Sequence, residues 1–304
     1  MSDKLLLLVA ATTSLTWGLT GIFVRLLPPI SPLLVAAGRL FIALLFVLPI
    51  ILLIQNRQHS LAIVCKRPIA YLLASLLVAY YALATVSFQL APVAEVALLL
   101  STPPLFVLAL RWIFGQKPAL FELIGALLAL GGMVIIMLPK LALGGHLSMQ
   151  QVIGDLTAIG AALMTALYAF SFKILSEQGR APEASGVALL TFALGSVVLT
   201  LMAAISTSAA NFALLDARAV YLFIGLGVIC TAIPTFGFAL ASKRLPAIIT
   251  ASISLFIPLF AGIFAYLLLA EGFSSNFLLG SLLVIGGVIM IIRQNKTKVA
   301  KIES

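Results

Sequence analysis

Apolar residues in this chain fall into runs of roughly bilayer length, separated by short polar, Pro- or Gly-containing breaks. An α-helix needs about 20 apolar residues to cross a hydrocarbon core about 30 Å thick. On that scale the pattern predicts ten spanning helices, at 5–27, 33–54, 68–90, 93–115, 120–138, 152–175, 184–206, 217–240, 247–269 and 275–292. The breaks carry turn chemistry: Pro28-Pro29 and Ser31-Pro32, then Gln55-Asn56-Arg57, then Ala91-Pro92, and Gly144-Gly145-His146 at mid-chain. Connections this short leave no room for a soluble domain. The first run has no small-residue cleavage site after Trp17-Gly18, so it reads as a span and not as a cleaved leader.

The series is written twice. Pro92 and Pro104 recur as Pro246 and Pro258, a shift of 154, while Gln116, Gly125, Gly131 and Gly132 recur as Glu271, Gly280, Gly286 and Gly287, a shift of 155. Arg25 lines up with Lys173, near the start of each half. The predicted fold is therefore an all-α membrane protein of ten transmembrane helices, divided into repeats 1–143 and 144–304 with a short basic tail. Five spans per repeat is an odd number, so the second half enters the membrane from the opposite face. Inverted-topology repeats of this kind suit alternating access, because two related halves can exchange conformations around a central site.

Composition agrees. Hydrophobic residues make up 63% of the chain and charged residues 9%, against about 25% charged in a soluble domain. Of the 18 Lys and Arg, 14 fall on one side of the ten-span reading: Lys4, Arg57, Lys66, Arg67, Arg111, Lys117, Lys173, Arg180, Lys243, Arg244, Arg293, Lys296, Lys298 and Lys301. Arg25, Arg39, Lys140 and Arg218 fall on or near the other. The bias predicts a cytoplasmic-membrane protein with both termini in the cytoplasm. The net charge of +9 is then a topology signal. Only the stretch Arg293–Lys301 clusters basic residues, which argues against a nucleic-acid partner and for lipid contact. Cys65 and Cys230 suggest neither a disulfide framework nor a metal cluster, and His59 and His146 fall in separate loops. No phosphate-binding loop, zinc-protease motif or nucleophile elbow occurs, so no catalytic residue, cofactor or metal is expected.

Trp17-Gly18, the stretch Ala91–Pro104 and the ending Leu269-Ala270-Glu271 with Gly280, Gly286 and Gly287 resemble the drug/metabolite transporter superfamily, and within it the EamA-type ten-helix transporters. The resemblance covers nearly the whole chain. It implies metabolite movement, often export of amino acids or related compounds. It also implies a central cavity walled by the first, third, fourth, sixth, eighth and ninth spans, with the fifth and tenth peripheral. The chain departs from the family pattern at Gln116, at Thr165-Ala166 and at Glu95.

Candidate substrate-binding residues follow from polarity inside spans. Glu95 lies within a turn of the outer end of the fourth span, where an acid faces a cavity, a partner or headgroup water. With Leu98, Leu99, Thr102 and Phe106 it forms a helical stripe. It is a candidate for a substrate ammonium or a coupling proton. Arg39 lies about two turns inside the second span, placed to bind a carboxylate, to pair with Glu95, or to snorkel to the outer headgroups. Trp17, Tyr80, Tyr81 and Tyr168 are aromatics away from the usual headgroup belts; Thr13, Trp17, Thr20 and Val24 share a face that either lines the cavity, with Trp17 on the apolar part of the substrate, or packs against neighbouring helices. Gln89, Ser101, Thr102, Thr165, Ser171, Thr231, Thr235, Ser252 and Ser254 add uncharged hydrogen-bonding groups, which also serve to hold helices together. Pro104 and Pro258 are repeat mates inside spans, expected to act as paired hinges or static kinks. Arg25 and Lys173 read as interface anchors, the glycines as helix-packing positions, and Glu271 as a helix cap.

The expected function is secondary transport of a small metabolite, by export, from a monomer or homodimer. Alternatives are a multidrug or quaternary-cation exporter, a lipid translocator and a membrane scaffold that moves nothing.

Overall fold

The computed structural model describes residues 3–53, 64, 66–141, 149–206, 215–237 and 256–302. Ser252, Ser254, Pro246, His59, His146 and Cys65 lie outside the described residues. Secondary structure among the described residues is helical throughout. In chain order the helices are α1 (Asp3–Gly18), α2 (Thr20–Leu26), α3 (Pro32–Leu53), α4 (Pro68–Leu90), α5 (Val93–Leu99), α6 (Pro103–Ile113), α7 (Leu120–Leu141), α8 (Met149–Glu177), α9 (Ala184–Ser206) and α10 (Ala217–Ile224). A π-helical turn, Gly225–Ala232, continues α10, and α11 (Ile257–Leu269) and α12 (Ser275–Ile302) follow. Among the described residues, six helical stretches are long and apolar enough to cross a membrane: Pro32–Leu53, Pro68–Leu90, Val93–Ile113, Met149–Glu177, Ala184–Ile205 and Ala217–Gly237. α7, α11 and α12 contribute the further apolar stretches Leu120–Ile136, Ile257–Leu269 and Ser275–Ile291.

Three expected spans depart from regular α-helical register. The first breaks between α1 and α2 at Leu19, beside Gly18, where an added Cβ would come 2.8 Å from Phe260 Cβ and 3.2 Å from the Ala261 nitrogen. The fourth stops at Leu99 and restarts at Pro103. Pro103 has no N–H to return to Leu99, and a residue before proline is pushed out of the α region. The Thr102 hydroxyl takes the Leu99 carbonyl at 2.6 Å, and Ser101 Oγ takes that of Leu98 at 2.6 Å. The expected Glu95-to-Phe106 stripe is thus cut at the prolines, and Leu98, Leu99 and Thr102 are buried. The third departure is the π turn after α10. Elsewhere the break at Pro92 falls where the pattern puts it, while α8 and α12 outrun their expected spans.

Glycines set the closest helix contacts. α7 and α12 run antiparallel against each other. A Cβ on Gly132 would lie 2.5 Å from the Gly280 carbonyl oxygen, and one on Gly125 would lie 2.6 Å from that of Gly287. Gly131 and Gly286 have nothing within 4 Å. Helix association in lipid draws no hydrophobic driving force, so van der Waals contact at small residues has to supply it. The outer faces of these two helices expose Leu127, Leu130, Val134, Leu279 and Leu282. Inside the bundle α4 packs on α8, α9 on α3 and α4, α11 on α1 and α5, and α3 on the π turn.

Candidate functional site

The most distinctive polar feature is built around Arg39 on α3. It does not snorkel: the residue is 2% exposed. The reason lies in the π turn opposite. Pro234 has no N–H to give the Cys230 carbonyl in α-helical register, and Arg39 Nη2 donates to that carbonyl at 3.4 Å. Arg39 Nε donates to Thr231 Oγ1 at 3.0 Å. The same hydroxyl donates to the Leu226 carbonyl, five residues back, at 2.8 Å. Thr235 Oγ1 donates to the Thr231 carbonyl at 2.6 Å. Gly227 permits this close seating, because a Cβ there would meet Ile42 at 2.6 Å and the Arg39 carbonyl at 3.0 Å.

Tyrosines complete the cluster from α4. The guanidinium lies 4.9 Å from the Tyr81 ring centroid, within cation–π range. The Tyr81 hydroxyl is 3.3 Å from Thr235 Oγ1, and Tyr80 meets Tyr81 edge-on at 5.1 Å and 62°. Tyr168 on α8 stands within electrostatic reach of Tyr81 and tilts against Phe172 at 5.8 Å. Arg39, Tyr80, Tyr81 and Thr235, nominated separately by the sequence, therefore converge, while Tyr168 packs beside Phe172.

The other candidates stand elsewhere. Gln89 Nε2 donates to the Ile30 carbonyl at 3.2 Å, joining the end of α4 to the α2–α3 connection. Ser101 and Thr102 sit at the α5–α6 break. Thr165 is half-buried and returns its hydroxyl to the Ala161 carbonyl at 3.1 Å. Trp17 is half-buried, and its shared face is packed: Thr13, Thr20 and Val24 are 3%, 6% and 2% exposed, with Gly237 against Thr13 and Gly21 against Phe88 and Val93. Pro104 and Pro258 are each the second residue of a helix, α6 and α11.

Glu95 lies half-buried in a cleft at the start of α5, lined also by Pro92, Glu271, Phe273, Ser274 and Phe277. Phe273 stacks on Phe277 at 5.4 Å and 15°. Glu271 does cap a helix, but not the one that follows it. Its carboxylate accepts the Val93 N–H, at 2.9 Å to Oε2 and 3.2 Å to Oε1, on the first residue of α5. Negative charge there complements the α5 dipole. Arg25 caps in the other sense, donating to the Gln89 and Ala91 carbonyls at 3.2 and 3.0 Å where α4 ends. Its repeat mate Lys173 makes an exposed 3.8 Å pair with Glu177.

Thr231, one of the uncharged groups that the sequence offers, holds Arg39. Two features escaped sequence reasoning. Glu122 is fully buried, accepting from Arg111 Nη1 at 3.1 Å and from the Ala119 N–H at 2.7 Å. Its signal was the short α6–α7 connection, which brings an acid and a base to facing helix ends. Asp155 is fully buried on α8, next to Gly154, whose Cα faces Leu90 and Ala91 at close range. Among the described residues no group of acids, histidines and cysteines could hold a metal ion.

The sequence profile of the EamA-like transporter family matches residues 4–138 and 152–293. A solved crystal structure of a protein 16% identical in sequence has the same fold, with a TM-score of 0.66 over 95% of this chain and 98% of the other. None of the curated proteins compared with the chain matches it.

Proposed function

Because this multi-pass membrane protein belongs to the EamA-like transporter family, and so to the drug/metabolite transporter superfamily, we propose that it is a secondary transporter of a small polar or amphipathic metabolite. One observation carries this reading: inside the bundle the helical ladder breaks at Leu100–Thr102 and widens to a π turn at Gly225–Ala232. Irregular backbone at membrane depth is tolerated only where protein or a water-filled cavity satisfies it, and discontinuous helices are how secondary transporters build their sites. Amino acids or similar compounds are the proposed cargo, moved outward by alternating access.

The ten-span, inverted-repeat architecture belongs to the same proposal. The glycine contacts support it. Gly125 meets Gly287 and Gly132 meets Gly280, while the sequence repeat relates Gly125 to Gly280 and Gly132 to Gly287. A pseudo-two-fold axis exchanges partners in just this crosswise way. The proline starts of α6 and α11 fit the same axis. Reporter fusions test the topology proposed for the cytoplasmic membrane. A reporter in 140–146 is expected to read outside and one at the C-terminus inside; two readings on one side would sink the odd-numbered half.

Counterflow in proteoliposomes tests transport. Vesicles are loaded in turn with unlabelled amino acids, nucleosides, sugar phosphates or quaternary amines, and entry of labelled compound of the same class is followed. Acceleration by one class, several-fold over empty vesicles, is the expected result. No acceleration by any class, from protein with a cooperative thermal transition, would favour a scaffold or a lipid translocator. The cleft of Glu95, Glu271, Phe273 and Phe277 favours one second reading, efflux of organic cations, since carboxylates beside aromatic faces suit an ammonium group. Coupling to protons would run through Glu95. Acceleration by quaternary amines alone would select that reading.

A further inference from the structure

Arg39 is a buried cation that forms no ion pair with a carboxylate among the described residues. A charged group inside a membrane bundle is costly unless something compensates it, and truncating one member of a buried pair is costly because it leaves a lone charge behind. Here the compensation is partial. The guanidinium has five N–H donors. Nε and Nη2 are engaged by Thr231 and the Cys230 carbonyl, one face rests on Tyr81, and Nη1 carries no hydrogen bond among the described residues. None of these partners bears a formal negative charge.

We propose that the missing counter-charge is the cargo: Arg39 is the anion subsite of the transporter, with Nη1 the group offered to a carboxylate or phosphate oxygen. This deepens the transport reading and rests on it. Thr231 is the positioning residue. Its hydroxyl has one hydrogen to give and gives it to Leu226, so its lone pairs remain for Arg39 Nε. That fixes the guanidinium plane against Tyr81. The π turn makes the arrangement possible, because Pro234 leaves the Cys230 carbonyl to Nη2. Single π turns inside helices are frequent at functional sites. Tyr81 and Thr235, tied to each other and to this cluster, would meet the same ligand.

The test compares paired probes in the counterflow assay on the full chain. One set carries an anionic group: amino acids, simple carboxylic acids and sugar phosphates. The other is matched and lacks it: amino-acid amides, amino alcohols and free sugars. Exchange by an anionic set and not by its match is expected, and which set responds separates carboxylate from phosphate. Arg39→Gln should then raise the half-saturating concentration of the anionic probe by about 10- to 100-fold, the range for a lost charged hydrogen bond. Thr231→Val should raise it by about 3- to 10-fold, and Thr231→Ser, which keeps the hydroxyl, should restore it. Thr231→Val also keeps the charge, so it decides the matter if Arg39→Gln does not fold. Exchange by amides or amines as fast as by their acids would overturn the anion subsite and leave transport standing. Equal losses on both probe sets in Arg39→Gln would do the same, making Arg39 a structural cation. No exchange by any probe, from folded protein, would overturn transport and the subsite together.

Discussion

Gly132→Val should lower the melting midpoint sharply, whereas Gly131→Val, one residue away on the same helix, should leave it nearly unchanged. At Gly132 the new Cβ would lie 2.5 Å from the Gly280 carbonyl oxygen and 2.9 Å from the Val284 nitrogen. Both are backbone atoms of α12, so no side-chain rotation relieves the clash; the helices must move apart. Separation also removes the neighbouring Gly125–Gly287 contact, because α7 and α12 touch along one seam. Overpacking costs typically about 1–3 kcal/mol, and a backbone-on-backbone clash belongs at or above the top of that range. At Gly131 nothing lies within 4 Å, so its substitution should stay within about 0.5 kcal/mol, as surface changes usually do. Melting midpoints of the purified protein, read by loss of the monodisperse peak after heating, would measure the difference. Equal midpoints for the two variants would mean that the glycine seam does not hold α7 to α12.

That seam also shows how far the sequence can be read. Glycines at a constant shift of 155 are visible in a single chain, and they imply tight packing of two related helices. Which glycine meets which follows only once the helices are seen to pack on each other. The interruptions divide in the same way. Pro103-Pro104 and Pro234 announce lost backbone bonds, but not that Ser101 and Thr102 reclaim two carbonyls locally while a residue nearly 200 positions away reclaims that of Cys230. Arg39 was legible as a buried-charge candidate. Snorkelling and binding could not be separated, because the choice depends on an acceptor supplied by a distant helix. The Thr13-Thr20 face is ambiguous in the sequence because small hydroxyl residues line cavities and fill helix contacts alike, and here Gly237, Phe88 and Val93 approach it. Glu271 looked like a local cap because sequence shows neighbours along the chain, and its partner Val93 is 178 residues away.

Glu122→Ala should be the second most damaging change, and the double substitution with Arg111→Met should be milder than the single one. Glu122 is fully buried, and its two oxygens accept from Arg111 Nη1 and from the Ala119 N–H. Arg111 Nε also donates to Gln116 Oε1 at 3.0 Å, so the short turn between α6 and α7 is tied three ways. The Arg111 side chain is 12% exposed. Removing the acid alone strips a largely buried guanidinium of this counter-charge and leaves the Ala119 N–H without its acceptor; breaking such a pair costs about 3–5 kcal/mol. Removing both charges avoids a largely buried guanidinium deprived of this carboxylate, so the double variant should recover roughly half of the loss. Glu122→Gln keeps an acceptor for Ala119 and should fall between wild type and Glu122→Ala. A double-mutant cycle of melting free energies would read the coupling, and strictly additive effects would show that the pair contributes no interaction of its own. The outcome bears on transport. With α6 tied to α7 at this turn, and α7 held to α12 by glycine contacts, any motion of the Val93–Ile113 span relative to that frame has to occur at Leu100–Thr102. The Ser101 and Thr102 hydroxyls, which donate to the Leu98 and Leu99 carbonyls at that break, make such bending possible without stranding backbone groups in lipid. A folded Glu122→Gln protein that keeps its exchange rate would locate the hinge at the prolines; one that folds normally but exchanges slowly would locate it at the α6–α7 turn.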